Sequence, residues 1–457
     1  MYSIILFILC LMLLAISLYF NKDSIMSPSN LIVFSFTVAV LCGLLNYDNW
    51  NFHVSSNTCF LVFGGLASFM LAATLCKYIW FRAVQTEPRK RTRILSLPLP
   101  IYIIGIAYPL FVMLRTSREL MSVVQTYGGG ADNVMDAIGK YDQLIKFSGQ
   151  AVGLSSLTDN MNALAQALMY YWLFRLLKTY FDAKKIDAWA FVALVVSLPV
   201  PLLSGSRNGL YQELVAIIVI GLLYYTAYAG HKIYISFKAG MVSAIVVLVL
   251  LFSFKPLLSL LGRKDSLNTF DYISLYLGAP VKNLDTYLKG YTVPAPNRWG
   301  EMTFANMRSN FSFIFGDSVP DWNIWQPFQT VNGRSLGNVY TIFYPLVYDF
   351  GFIGAIVMMM ALGTAAQLVF EYARKTLAEH RSGFPIATCI YGIVAYGLVF
   401  SFFSNRLIAT VFSAQFVKFL MVWVLIGMVY RIRLNGFKKP YPLTLRLPMC
   451  KHIMEDE

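Results

Sequence analysis

Residues 187–228 read DAWAFVALVVSLPVPLLSGSRNGLYQELVAIIVIGLLYYTAY. Two apolar runs, at about 187–203 and 209–228, flank the polar segment SGSRNG at 204–209. A run of about 18 or more apolar residues is long enough to cross a bilayer as a helix. Lipid offers no partners to the open backbone groups of other structures. The stretch therefore predicts two membrane-spanning helices joined by a short polar turn that carries Arg207.

The same pattern recurs along a chain of 457 residues that is 57% hydrophobic and 13% charged, which excludes a soluble protein. We expect an all-α polytopic membrane protein with about 11 transmembrane helices (11–12) in a single integral membrane domain, 1–457. The first run has no basic amino-terminal region and no small-residue cleavage site, so a span is expected there rather than a removable signal peptide. The apolar runs lie at about 2–20, 30–45, 58–76, 97–114, 161–178, 187–203, 209–228, 239–256, 339–372, 384–403 and 407–430.

Lysine and arginine cluster in four segments, at 77–93, 175–185, 374–381 and 431–439. By the positive-inside rule these segments face the cytoplasm. This orientation puts the carboxyl terminus inside and the amino terminus outside, although an inside amino terminus stays open. Anionic lipid headgroups account for the net charge of +14. Membrane lipids are therefore expected partners, and nucleic acid is not.

Two long segments, 115–160 and 255–338, are then expected on the outer side. Loops this long in a compact protein are usually functional or disordered. The second segment is rich in tryptophan and tyrosine, which argues against disorder. We therefore expect two ordered outer loops that contribute to function.

Four arginines of the expected outer side stand among small or amide residues: Arg207, Arg308, Arg334 and Arg406. Guanidinium is always charged and can bind a phosphate through two parallel hydrogen bonds. The helix that starts after Gly209 offers its free N–H groups to the same anion. The pattern predicts an anion site suited to a pyrophosphate. Arginines at span ends also reach toward lipid phosphates, and this alternative stays open, above all for Arg406 as the anchor of a hairpin.

Two further ionisable residues lie in or near apolar runs. The run 339–372 is too long for one span, so a short outer helix or re-entrant piece would put Asp349 near the surface. Asp349 could then be a general base for a sugar hydroxyl or a structural partner of an outer arginine, and both roles stay open. Lys418, near the middle of the last run, is either functional or paired within a polar interior.

Other chemistries find little support. The six cysteines form no CxxC pair, and only one of the four histidines, His53, is expected on the outer side. HExxH, GxSxG and P-loop motifs are absent, which argues against zinc proteolysis, serine hydrolysis and ATP hydrolysis. We expect no metal site and no cofactor.

The apolar runs, SGSRNG at 204–209, the large outer loop and NVYTIFYPLVYDFGFIG at 338–354 resemble the Wzy-type O-antigen polymerases. The resemblance implies a GT-C-like fold and a multi-pass location in the bacterial inner membrane. It also implies a periplasmic, metal-independent active site. Such enzymes transfer a growing glycan from undecaprenyl pyrophosphate to a new repeat unit on its own undecaprenyl pyrophosphate. A polysaccharide chain-length regulator is the protein partner that the resemblance suggests.

On this interpretation Arg207 and Arg334 would offset the charge of the departing pyrophosphate, and Asp349 would accept the proton of the acceptor hydroxyl. A second set of residues would bind the substrate. These are Arg308, Ser206, Asn208, Arg406 and Tyr348. A polysaccharide flippase or other transporter remains an alternative. An O-antigen ligase is a further alternative, disfavoured because the second long loop has no histidine.

Overall fold

The computed structural model describes residues 1–22, 24–80, 96–147, 153–205, 207–229, 256, 267–290, 299–310, 326–378, 383–431 and 444–445. Within these ranges the chain is built of helices joined by short connections. The α-helices are α1 Tyr2–Phe20, α2 Pro28–Leu45, α3 Ser56–Trp80, α4 Leu99–Tyr127, α5 Val134–Phe147, α6 Ser156–Ala183, α7 Ala188–Ser197, α8 Asn208–Ala229, α9 Thr269–Lys289, α10 Ala305–Asn310, α11 Phe343–Ala378, α12 Ile386–Val399, α13 Arg406–Val411 and α14 Ala414–Arg431.

Four short strands and one 3-10 helix complete the described structure. The 3-10 helix is Val200–Ser204, and the strands are β1 Ile186–Asp187, β2 Gln329–Val331, β3 Arg334–Gly337 and β4 Thr444–Leu445. β1 pairs antiparallel with β4, and β2 pairs antiparallel with β3 in a hairpin.

Six of the described helices are long and apolar enough to cross a membrane: α1, α2, α3, α4, α8 and α11. Three shorter apolar helical segments lie at 188–204, 386–399 and 414–430. These helices confirm the expected all-α membrane protein. The span count of about 11 and the GT-C-like architecture stay predictions. The run 239–256 lies outside the described residues except for its last one, Pro256.

Packing separates a buried interior from apolar faces that point outward. α3 packs against α11, α1 against α2, and α8 against α12. In α1, Leu6 and Cys10 are fully buried while Ile4 and Ile8 are exposed. An exposed apolar stripe on one side of a helix suits contact with lipid rather than with water. The exposed face of α1 therefore fits a position at the edge of the bundle.

Three apolar runs do not form single straight helices. α11 is broken at Gly351, whose φ of 68° and ψ of −176° are far from helical values, which agrees with the expected split of 339–372. The run 187–203 divides at Pro199 into α7 and the 3-10 helix, since proline cannot donate to the preceding turn. The run 407–430 divides near Ser413 into α13 and α14.

The first long segment is more helical than a loop. α4 extends beyond Arg115 to Tyr127, and α6 begins at Ser156. Between them, the amphipathic stretch 134–147 forms α5, which packs on α4 through Ile138 and Tyr141. In the second segment, α9 and the β2–β3 hairpin are ordered elements.

Basic residues of α6 differ from their expected place in a cytoplasmic loop. Arg175 is 3% exposed and bonds the carboxylate of Asp187 at 3.1 Å. Lys178 is 1% exposed and bonds Asp182 at 3.0 Å. These two cations are therefore paired inside the protein, where they tie α6 to itself and to the start of α7.

Candidate functional site

A cavity of about 460 Å³ lies where the ends of several helices meet. Its walls come from the start of α6, the junction of the 3-10 helix with α8, and the short helices α10 and α13. The end of α12 and the start of α14 complete them. The lining residues are Leu154, Asp159, Asn162, Ala163, Gln166, Val200, Pro201, Ser204, Asn208, Gly209, Gln212, Asn306, Tyr396, Arg406, Ala409, Thr410, Ser413, Gln415 and Lys418.

The cavity lining is about half polar and carries two cations. Its amides are Asn162, Gln166, Asn208, Gln212, Asn306 and Gln415. The Gln415 Nε2 donates to the Gln166 Oε1 at 2.7 Å, so two amides join α14 to α6. Arg406 and Lys418 line the same space as Asp159. Amides that donate and accept suit the hydroxyls of a sugar, and the cations suit an attached phosphate.

The glycine-rich turn at 204–209 builds one wall of this cavity. Gly205 has a φ of +76°, and a Cβ placed on it would lie 2.8 Å from the Cβ of Asp142 in α5. Glycine is therefore required where the turn approaches α5. Beyond the turn, Asn208 and Gly209 line the cavity at the start of α8. Ser206 lies outside the described residues.

Arg207 points to α9 rather than into the cavity lining. Its Nη1 donates to the Tyr272 hydroxyl at 3.0 Å and its Nη2 to the Tyr276 hydroxyl at 3.2 Å. The guanidinium carbon lies 5.8 Å and 5.2 Å from the centroids of the same two rings. Both prongs of the guanidinium therefore bind a tyrosine pair of the second long segment.

Arg406 contacts the same aromatic group. Tyr276 stacks on Phe403 with 5.9 Å between ring centroids, and the Arg406 guanidinium lies 5.9 Å from the Phe403 centroid. Arg406 begins α13 and lines the cavity. The structure thus joins the outer turn before α8 to the turn before α13, through α9.

Asp349 holds the segment 302–303, which precedes the cavity-lining Asn306. Its carboxylate, 7% exposed, accepts the backbone N–H of Met302 at 3.1 Å and that of Thr303 at 2.5 Å. The Asn405 side chain donates to the Thr303 carbonyl at 2.9 Å. The geometry favours a structural role for Asp349, but its partners are backbone N–H groups rather than an outer arginine. Tyr348, beside it, is half-buried against the apolar core.

The held segment leads into α10, which contacts α13 through Asn306. Asn306 lines the cavity and donates to the Ala409 carbonyl at 3.2 Å. Arg308 is half-buried on the same short helix. Asp349 therefore positions cavity-lining atoms through the segment that it binds.

Arg334 begins β3 of the β2–β3 hairpin, and its side chain is exposed. Leu336 of the hairpin packs against Trp50 and Ala279, and Asn332 donates to the Asp48 carbonyl at 3.3 Å. The hairpin and Arg207 share α9 as a neighbour, but Arg334 itself is exposed. The structure brings Arg207 and Arg406 together around aromatic rings and leaves Arg334 at the periphery.

No family model, no curated protein and no solved structure matches this chain. The resemblance to the Wzy-type polymerases therefore stays an expectation based on short motifs.

Sequence reasoning missed several residues of the cavity. Asp159, Asn162 and Gln166 are polar residues at the start of an apolar run, and their spacing of three and four puts them on one helix face. This spacing could have identified the three residues from the sequence as one polar helix face. Lys418 was expected in mid-span, but α14 begins at Ala414, so Lys418 lies one turn from its start and lines the cavity.

Proposed function

We propose that the protein is a glycosyltransferase that polymerises lipid-linked oligosaccharide repeat units at the periplasmic face of a bacterial inner membrane. The observation that carries the proposal is the amide-rich cavity with Arg406 and Lys418, built from helix ends in a chain with six long apolar helices. Its volume of about 460 Å³ lies in the usual range for small-molecule sites.

The cavity residues have separate roles in binding the sugar and in stabilising the leaving group. Amides of the cavity bind sugar hydroxyls, and Arg406 with Lys418 faces the pyrophosphate of the donor. Arg207, clamped on Tyr272 and Tyr276, keeps the aromatic group under Arg406 in place and adds positive charge behind it. As the bond from sugar C1 to the pyrophosphate breaks, nearby cations offset the charge that develops on the leaving group.

Arg334 and Arg308 act before the glycosyl-transfer step. Arg334 is exposed on its hairpin, and Arg308 lies on α10 beside the cavity. Cations that reach the solvent, fully or in part, raise the local concentration of anionic ligands and speed their arrival. Arg334 and Arg308 therefore guide the pyrophosphate headgroup toward the cavity.

A transporter is the second candidate, because buried ion pairs are common along substrate pathways in membranes. The pairs Arg175–Asp187 and Lys178–Asp182 of this chain are of that kind. An enzyme is favoured because the polar cavity lies at helix ends, whereas transporter sites lie near the middle of the bilayer.

The test uses purified protein in lipid nanodiscs with an undecaprenyl-pyrophosphate-linked repeat unit. A polymerase makes a ladder of longer lipid-linked glycans, which gel electrophoresis resolves. Arg406→Ala and Lys418→Met should each weaken the ladder strongly, while Arg118→Ala, which changes an exposed arginine of α4, should leave it unchanged.

Deletion of the gene in the native cell distinguishes a polymerase from a flippase and from a ligase. Loss of a polymerase leaves a single repeat unit on the lipid A core. Loss of a flippase leaves none, and loss of a ligase leaves polymer on undecaprenyl pyrophosphate. Either of the last two results, or a wild-type protein that makes no ladder, would refute the proposed function.

A further inference from the structure

Glycosyl transfer needs a group that accepts the proton of the acceptor hydroxyl. We propose that Asp159 is this general base, an inference that rests on the proposed function. Among the described residues that line the cavity, Asp159 is the one carboxylate. A base must come within hydrogen-bond reach of the proton that it removes, and only a lining residue can do so.

Two other carboxyl groups near the cavity are poorly placed for this role. Asp349 already accepts backbone N–H groups at Met302 and Thr303. Glu213 follows the cavity-lining Gln212 in α8, but it is 1% exposed and lies behind the wall. A ligand in the cavity would contact Asp159 and not these two.

Two opposing effects act on the Asp159 carboxylate: burial raises its pKa, and its position at the start of α6 favours the charged form. Ser155 caps this helix by accepting the Thr158 N–H, which places Asp159 in the first turn. The positive end of a helix stabilises a carboxylate there. Asn162 lies three residues later and lines the same cavity, so an amide lies next to the acid on one helix face.

Charged and titratable groups of four other helices surround Asp159. Lys418 of α14 attracts its negative charge and Glu119 of α4 repels it. The charge of Asp159 also acts on Tyr141 of α5. Arg406 of α13 lines the same cavity. Burial outweighs the attraction of Lys418, so the pKa of Asp159 lies above its usual 3.8. A carboxylate with a raised pKa is a stronger base, and the Lys418 ammonium favours the ionised form that can accept a proton.

The step balances without a further reactant. The acceptor hydroxyl transfers its proton to the Asp159 carboxylate as its oxygen forms a bond to C1 of the donor sugar. The bond from C1 to the pyrophosphate oxygen breaks, and its electron pair leaves with undecaprenyl pyrophosphate. Arg406 and Lys418 face the charge on that leaving group, and Asp159 later releases its proton to water.

Asp159→Asn in the nanodisc assay tests the inference because it keeps the shape of the side chain and removes the basic oxygen. We expect polymerisation to slow by about 100-fold or more, with donor binding and thermal unfolding close to wild type. Asp159→Glu should restore part of the rate and shift the acidic limb of the pH profile. The matched control is Asp136→Asn, which changes an acid paired with Lys140 on α5.

A purely structural partner of Lys418 would behave differently. Loss of such a partner would lower the unfolding temperature or the affinity for the donor, and the acidic limb of the pH profile would remain. Retention of that limb in Asp159→Asn, or a rate within about threefold of wild type, would overturn the inference. A wild-type protein that makes no ladder would refute the proposed function instead, so the two failures are distinguishable.

Discussion

Tyr276 and Phe403 stack with their ring centroids 5.9 Å apart and their planes inclined by 13°. The pair links α9 to the turn before α13, with Arg207 bound to Tyr276 and Arg406 over Phe403. Residues separated by more than a hundred positions in sequence thus form one unit beside the cavity. A change at Arg207 should therefore reach the cavity through this aromatic contact.

Arg207→Ala is expected to lower the polymerisation rate by about 100-fold, the scale seen when one preorganised charged or polar group is removed from an active site. Arg207→Lys should also fail, because a lysine cannot donate to Tyr272 and Tyr276 in one fixed fork. The ladder of lipid-linked glycans measures both effects. Full activity of Arg207→Lys would show that charge alone matters, and Arg118→Ala is the control for an exposed arginine.

Asp349→Asn distinguishes a structural carboxylate from a catalytic base. The charged acceptor binds two backbone N–H groups, and hydrogen bonds to charged groups contribute about 1.5–3 kcal/mol each. We expect a lower unfolding temperature in detergent and weaker donor binding, because the Met302–Asn306 segment loosens. A large loss of rate at unchanged unfolding temperature would instead favour the role of general base for Asp349.

Much of the helical framework was predictable from the sequence, because apolar runs must form helices in lipid. The length of the run 339–372 also predicted its split, whereas the break at Pro199 was missed although proline disfavours a continuous helix. The break near Ser413 was not predictable. Neither proline nor glycine marks it, and it arises where α13 turns to line the cavity.

The site itself depends on contacts between distant parts of the chain. Gln166 and Gln415 bond across 249 positions, and Asn405 reaches Thr303 across 102. No local pattern encodes such pairs. The sequence therefore identified the arginines that stand among small and amide residues, but not which of them lie together. It paired Arg207 with Arg334, whereas in the structure Arg207 and Arg406 contact one aromatic group.

Gly351→Ala is expected to destabilise the protein. The backbone at Gly351, with φ 68° and ψ −176°, lies in a region that glycine alone adopts readily, and a side chain there costs about 1–3 kcal/mol. Thermal unfolding in detergent measures the loss. Gly221→Ala in α8 is the matched control, because a Cβ there meets open space and alanine favours helix. Equal unfolding temperatures for the two variants would contradict the strained break.

The acid sensitivity of the fold should depend on Asp285 of α9, which binds the start of α3. Its Oδ1 accepts the Ser55 N–H at 2.6 Å and the Thr58 hydroxyl at 2.9 Å, and Lys289 lies 2.8 Å from its Oδ2. Burial raises the pKa of Asp285, but the hydrogen bonds from Lys289, Ser55 and Thr58 outweigh burial and hold the pKa below its usual 3.8.

A carboxyl group whose pKa is lower in the folded protein stabilises the fold at any pH above its unfolded pKa. This stabilisation is lost as the pH falls through the folded pKa. Asp285→Asn should therefore unfold at a lower temperature than wild type at pH 7, and the difference should narrow below about pH 4. Unfolding temperatures measured from pH 7 to pH 3 check this, with Asp132→Asn at an exposed site as the control. A difference that stays constant down to pH 3 would show that Asp285 acts through packing rather than through its charge.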